Sequence, residues 1–174
     1  MGFEGPPCLK RVRDADHLNG LPRLAPRDAN RVMLHNGLRR VAADFAWAVY
    51  RGGGEVTFEN PSDRGDVSQP HVYWEAKAGH ASLFNTDELL RFAATSGATR
   101  VTAPFCAFGA DVQKYFTLLA TPGAALVLEP VKGLVCVHRS HPAHAFGVDA
   151  EGARASSSTA PYPAHLLSRS GALH

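Results

Sequence analysis

Two stretches of the chain carry side chains able to do chemistry. GPPCLKRVRD, residues 5–14, sets Cys8 directly after Pro6 and Pro7 and just ahead of Lys10, Arg11 and Arg13. The prolines fix the backbone and hold the thiol at a rigid turn, and the cations favour thiolate over thiol. The second stretch is Glu59-Asn60-Pro61. It closes an alternating run and sets a carboxylate at the C-terminal end of a strand, where open α/β sheets gather ligand-binding groups. Taken singly, each has a plainer reading: a cysteine in a surface loop, and a polar residue before a proline turn. Together they supply a nucleophile and a general acid.

The elements that must position this pair follow from pattern. Residues 9–27 are rich in Arg, Asp, Asn, Gly and Pro and read as a long irregular loop, and long ordered loops are often functional. Asp28 is the expected N-cap of an amphipathic helix over 29–51, with Leu34, Leu38, Val41, Phe45 and Val49 as its apolar face. Gly52-Gly53-Gly54 ends it, and EVTFEN, 55–60, is a strand that Pro61 terminates. Thr86 caps a helix over DELLRFAATS that Gly97 stops. RVTAPF (100–105) and KYFTLLAT (114–121) are strands joined through Cys106-Ala107-Phe108-Gly109, and GAALVLEPV is a short helix. Residues 148–160 form a low-complexity flexible loop, and YPAHLLSRSGAL a terminal helix. The alternation of helix and strand predicts an α/β sheet with crossovers, and 174 residues suit a single domain.

A thiolate and a carboxylic acid are what methylation of cytosine at C5 requires. The thiolate adds to C6, the acid protonates or hydrogen-bonds N3, and C5 becomes enamine-like and nucleophilic. The base must leave the stack, so the cysteine belongs on a loop that can close over an extruded nucleotide. At this point the chain resembles the DNA cytosine-5 methyltransferases, in the divergent form of phage and mobile genetic elements. That family carries Pro-Cys after one strand and Glu-Asn after the next, with a helix between; Pro7-Cys8 and Glu59-Asn60 match, and Pro61 follows as in the divergent branch. Cys106-Ala107-Phe108-Gly109, Lys114 and Thr117 match a downstream pattern, and Cys136, His141, Gly147 and Tyr162-Pro163 match a terminal one. The resemblance therefore spans nearly the whole chain.

It implies that Cys8 is the nucleophile, that Glu59 acts at N3 and that Asn60 braces the strand end. It implies that the loop 9–27 covers DNA, that Lys114 and Thr117 touch substrate, and that S-adenosylmethionine is the methyl donor; Lys10, Arg11 and Arg13, beside the thiol at the start of a basic stripe, are expected to contact DNA. The family's cofactor half, a strand and a Gly-rich turn followed by an acidic residue, precedes Pro-Cys. Here seven residues precede Cys8, and VYRGGGEV (49–56) reads as a helix C-cap instead. The expectation is a partial S-adenosylmethionine-dependent methyltransferase-like sheet with its N-terminal cofactor-binding half missing, inactive alone, with DNA and a missing half or a partner chain as partners.

The remaining features bound this reading. Between residues 10 and 40 stand eight cations (Lys10, Arg11, Arg13, Arg23, Arg27, Arg31, Arg39, Arg40) against Asp14, Asp16 and Asp28, a local charge of +5 in a chain of net +2. Such a stripe can hold phosphates or be a solvated face. Without catalysis the chain would be a mobile-element remnant or a nucleic-acid-binding module. An amino-methyltransferase would have no use for Glu59, and a thiol hydrolase needs a histidine to activate Cys8, for which the nine histidines supply no motif. Cys136, His138, His141 and His144 read C-x-H-x-x-H-x-x-H, able to ligate zinc. The spacing matches no familiar closed site and LVCVH reads as a strand, so no metal ligand is assigned. An odd cysteine count of three argues against a disulfide framework. No apolar run approaches the ~18 residues of a membrane span and no secretory signal opens the chain, so an intracellular protein is expected, nuclear in a eukaryotic cell.

Overall fold

The computed structural model describes residues 11–79 and 82–142. Pro7, Cys8, Lys10, the loop 148–160 and the terminal helix expected after it lie outside these residues. The elements run α1 (Pro26–Arg51), β1 (Thr57–Pro61), α2 (Asp87–Ser96), β2 (Thr99–Pro104), β3 (Tyr115–Ala120) and α3 (Pro122–Val127), with 3-10 turns at Leu83–Asn85, Phe105–Phe108 and Glu129–Val131 among others. No described helix is long and apolar enough to cross a membrane.

α1 begins earlier than expected. Pro26 stands in its first turn, where a missing N–H costs nothing, so Asp28 is a first-turn residue and Ala25 the cap. Gly53, at φ +80°, turns the chain away and the Gly54 N–H bonds Val49 O, so the glycine run is a helix stop.

The apolar face of α1 needs correction. Leu34, Leu38, Val41 and Phe45 do recur at helical spacing, but all four are exposed, Phe45 at 69%. The buried face carries Val32, Arg39, Ala43 and Ala46. Alanines let the helix axis approach α2 and the sheet closely, and Trp47 and Tyr50 flank them against the core. Small residues with two aromatics make a better seat here than the longer aliphatic stripe.

The sheet is mixed with the helices as expected, but its neighbouring strands are antiparallel. The order is β1-β3-β2, with β3 antiparallel to both. β1 and β2 therefore run parallel to each other, joined by a crossover through α2, and β3 returns between them after the 105–108 turn. One face packs Phe58 and Leu119 against Ala43, Ala46, Leu89 and Phe92 of the helices. Phe92 is fully buried and takes Trp47, Tyr50 and Phe58 edge-on, with ring centroids 5.3–6.0 Å away. The other face packs Val101, Ala103, Phe116 and Leu118 against Phe105, Phe108 and Val131.

Beyond α3 the described residues form no ladder. LVCVH, expected as a strand, is irregular and pairs with no described strand.

Candidate functional site

Glu59 lies in β1 directly opposite Leu118 of β3. β1 is an edge strand and its alternation leaves Thr57, Glu59 and Pro61 exposed on one face. The Glu59 side chain is exposed and meets no hydrogen-bond donor among the described residues. Asn60 turns to the other face and its side-chain N–H donates to Pro61 O at 3.2 Å, which pins the strand end. Pro61 closes β1 at a position where the sheet edge tolerates a missing donor.

The loop expected to cover DNA is held down over 11–25. Arg13 Nη2 donates to Asn36 Oδ1 at 2.8 Å and to Val32 O at 3.3 Å; burial, and after it the nearby Arg39 charge, lower its pKa. Asn36 donates in turn to Asn19 O, and the buried Arg39 bonds Asn19 Oδ1 at 2.8 Å and Glu88 Oε1 at 3.2 Å. Arg11 is exposed and pairs with Asp14 at 3.3 Å. Of the expected DNA contacts in this segment, Arg11 faces solvent while Arg13 ties the loop to α1. A cleft of about 570 Å³ opens between residues 19–24 and α1, with Arg23 and Arg40 on its rim.

Lys114 and Thr117 sit at either side of the β3 start. The Lys114 ammonium lies over the Phe105 ring at 5.0 Å. Thr117 is buried, its hydroxyl 2.8 Å from both Ser62 Oγ and Thr102 Oγ1. That chain of hydroxyls links the residue that follows β1 to β3 and β2, and the Thr117 side chain is buried within it.

A second constellation was legible only in part. Cys136, His138 and His141 converge on Cys106, and the four ligand atoms lie within 4.8 Å of one another. Cys136 Sγ is 3.4 Å from His141 Nε2 and 3.8 Å from His138 Nδ1. Burial pushes the Cys106 thiol up to about 11, and the neighbouring Cys136 pushes the same way. His144, grouped with these residues by spacing, lies outside the described residues. Cys106, thirty positions upstream of Cys136 in sequence, carried no spacing signal; only the 105–108 turn after β2 brings it there.

The described residues do not fit S-adenosylmethionine. Their one glycine-rich turn, 52–54, follows a helix and precedes a strand, the reverse of the order that points helix N–H groups at a ligand. No family model, curated protein or solved structure matches the chain.

Proposed function

We propose that this chain is the target-base part of a DNA cytosine-5 methyltransferase-like enzyme, with Cys8 as nucleophile and Glu59 as the group at N3. The observation that carries the reading is the sheet. In the order β1-β3-β2, β1 and β2 run parallel with α2 as the crossover between them, which agrees with the α/β sheet with crossovers expected of the resemblance, and β3 is inserted between them in the opposite direction. Glu59-Asn60-Pro61 then stands in the first of the three strands, at its C-terminal end.

Two further features agree. β1 has one partner, β3, among the described residues, and its other edge offers unpaired backbone groups. A strand preceding Pro7-Cys8 and paired in parallel along that edge would bring Cys8 to the same sheet end as Glu59, with α1 as the crossover between them. The uncovered stripe of Leu34, Leu38, Val41 and Phe45 is an apolar surface of the sort that marks a contact with further protein.

The steps that belong to this chain occur at the base. The Cys8 thiolate forms the sulfur–C6 bond, the electron pair of the C5–C6 double bond shifts toward N3, and the Glu59 carboxyl stabilises N3 by donating a proton or hydrogen bond. C5 is then the nucleophilic carbon. After substitution at C5, loss of the C5 proton and expulsion of the thiolate restore the ring. The donor site is not assembled by the described residues, and the isolated chain is inactive in methyl transfer.

A non-catalytic nucleic-acid-binding module is the other reading. The pinned Arg13 and Arg39 weaken it, because two of the basic residues it needs hold the loop and α1 together. The distinguishing experiment is covalent capture. DNA carrying an unpaired 2-pyrimidinone, whose C6 accepts a thiolate without a methyl donor, forms a denaturant-resistant adduct through Cys8 under the catalytic reading. Under the other, binding falls steeply with salt and is indifferent to Cys8.

A further inference from the structure

We propose that Cys106, Cys136, His138 and His141 form a structural zinc site that clamps the segment after α3 to the β2–β3 turn. The inference rests on side-chain geometry alone and is independent of the methyltransferase reading.

Zinc bound by two thiolates at about 2.3 Å and two imidazoles at about 2.0 Å has sulfur–nitrogen edges of about 3.5 Å. The Cys136 contacts to His141 Nε2 and His138 Nδ1, at 3.4 and 3.8 Å, bracket that edge. All four ligand atoms fall within 4.8 Å, so rotations about side-chain bonds suffice to close on an ion. Four protein ligands leave no open position, which makes the site structural, and a tetrahedral pair of sulfurs with a pair of nitrogens selects zinc. Two thiol protons leave as the ion binds, and the dication is neutralised by the two thiolates.

The backbone gives the site a purpose. Cys106 is buried on the turn Phe105–Phe108, fixed behind by β2 and ahead by Gly109 at φ +86°. Residues 132–142, by contrast, have no helix and no strand, and Val137 is 82% exposed. This stretch has little to bury: Leu134 packs on the core and the Cys136 N–H donates to Tyr115 Oη at 2.9 Å. A segment so poor in core contacts, yet directing a thiol and two imidazoles at one buried cysteine, is anchored by what those groups bind. The aryl hydroxyl that holds the Cys136 backbone fixes where its sulfur points, as the partners of metal ligands do.

The test uses the full chain, produced without a histidine tag from zinc-supplemented cells and kept reduced. Bound metal is counted by plasma mass spectrometry, and the metal-free protein is titrated with Zn²⁺ and with Co²⁺. One zinc per chain is expected, with a tetrahedral cobalt spectrum bearing thiolate charge-transfer bands. Cys106→Ser and His141→Asn should each weaken zinc affinity by more than about 100-fold, while Cys8→Ser leaves stoichiometry at one. Should Cys106→Ser fail to fold, the wild-type cobalt spectrum decides between tetrahedral sulfur ligation and none. Substoichiometric zinc, an octahedral cobalt spectrum, or zinc retained by a folded Cys106→Ser would overturn the proposal. So would a Cys106–Cys136 disulfide in protein alkylated at the moment of lysis from a reducing cytosol.

Discussion

Cys136 Sγ lies 3.4 Å from His141 Nε2 in a stretch with neither helix nor strand. If a metal holds that stretch, its removal frees the chain around Lys132 and Arg139. Trypsin should then cut there at least about tenfold faster after treatment with a chelator, since loss of even 1.4 kcal/mol of local stability raises the open population by that factor. Equal cleavage rates with and without chelator would count against an ion in this role.

The adjacent residues Phe45 and Ala46 should respond oppositely to substitution. Phe45 is 69% exposed, so Phe45→Gln should change unfolding free energy by no more than about 0.5 kcal/mol. Ala46 is 2% exposed against α2 and the sheet, and Ala46→Leu should cost about 1–3 kcal/mol through overpacking. Urea denaturation of both variants checks the pair; a large loss in Phe45→Gln would mean that the aliphatic stripe is the buried face after all.

Thr117→Val keeps the shape of the side chain and removes the hydroxyl shared by Ser62 and Thr102. Leaving those groups without their partner should cost about 1–3 kcal/mol, read as a lower urea midpoint with an unchanged slope. A neutral result would argue that the hydroxyl chain contributes nothing to holding β1 on β3.

Acid should act through Glu55. Its carboxylate accepts from the Thr121 hydroxyl and from the Ala124 N–H at 3.1 Å, joining the approach to β1 to the start of α3, and these bonds hold its pKa below the usual 4.5. A folded value below the unfolded one means a contribution fully present above the unfolded pKa and lost as pH falls through the folded value. Glu55→Gln should therefore lower the urea midpoint at pH 7 and leave a shallower decline below about pH 4.5. Parallel wild-type and variant curves down to pH 2 would show that the carboxylate does not couple to folding.

How far the sequence led can be seen element by element. β2, β3 and α2 were legible because short β-branched or aromatic runs and a Gly97 stop at φ +71° are local signals. The periodicity of α1 was legible too, but not which face it buries. That choice depends on how closely Ala43 and Ala46 let the helix approach Phe92 and Leu119, a tertiary fact with no signature in spacing. Strand direction was missed for a similar reason: a helix between β1 and β2 suggests parallel neighbours, and nothing local says that β3 inserts between them. The place of Glu59 at a strand end was legible from the alternating run and Pro61, whereas Cys106 joins Cys136, His138 and His141 only through a turn far upstream. Thr117 looked like a surface contact because its hydroxyl partners, Ser62 and Thr102, are distant in sequence.

Methyl transfer itself gives a clear expectation. With labelled S-adenosylmethionine and duplex DNA, the isolated chain should incorporate no label above a Cys8→Ser control, because its described residues do not build a donor site. Label appearing in cytosine would show that the donor site is in this chain.

The most direct measurement is the adduct between the chain and DNA with a single unpaired 2-pyrimidinone, resolved under denaturing conditions and mapped by mass spectrometry. The proposed function predicts one adduct, located at Cys8, abolished by Cys8→Ser and formed more slowly by Glu59→Gln. Absence of any adduct, or an adduct that survives Cys8→Ser, would contradict it.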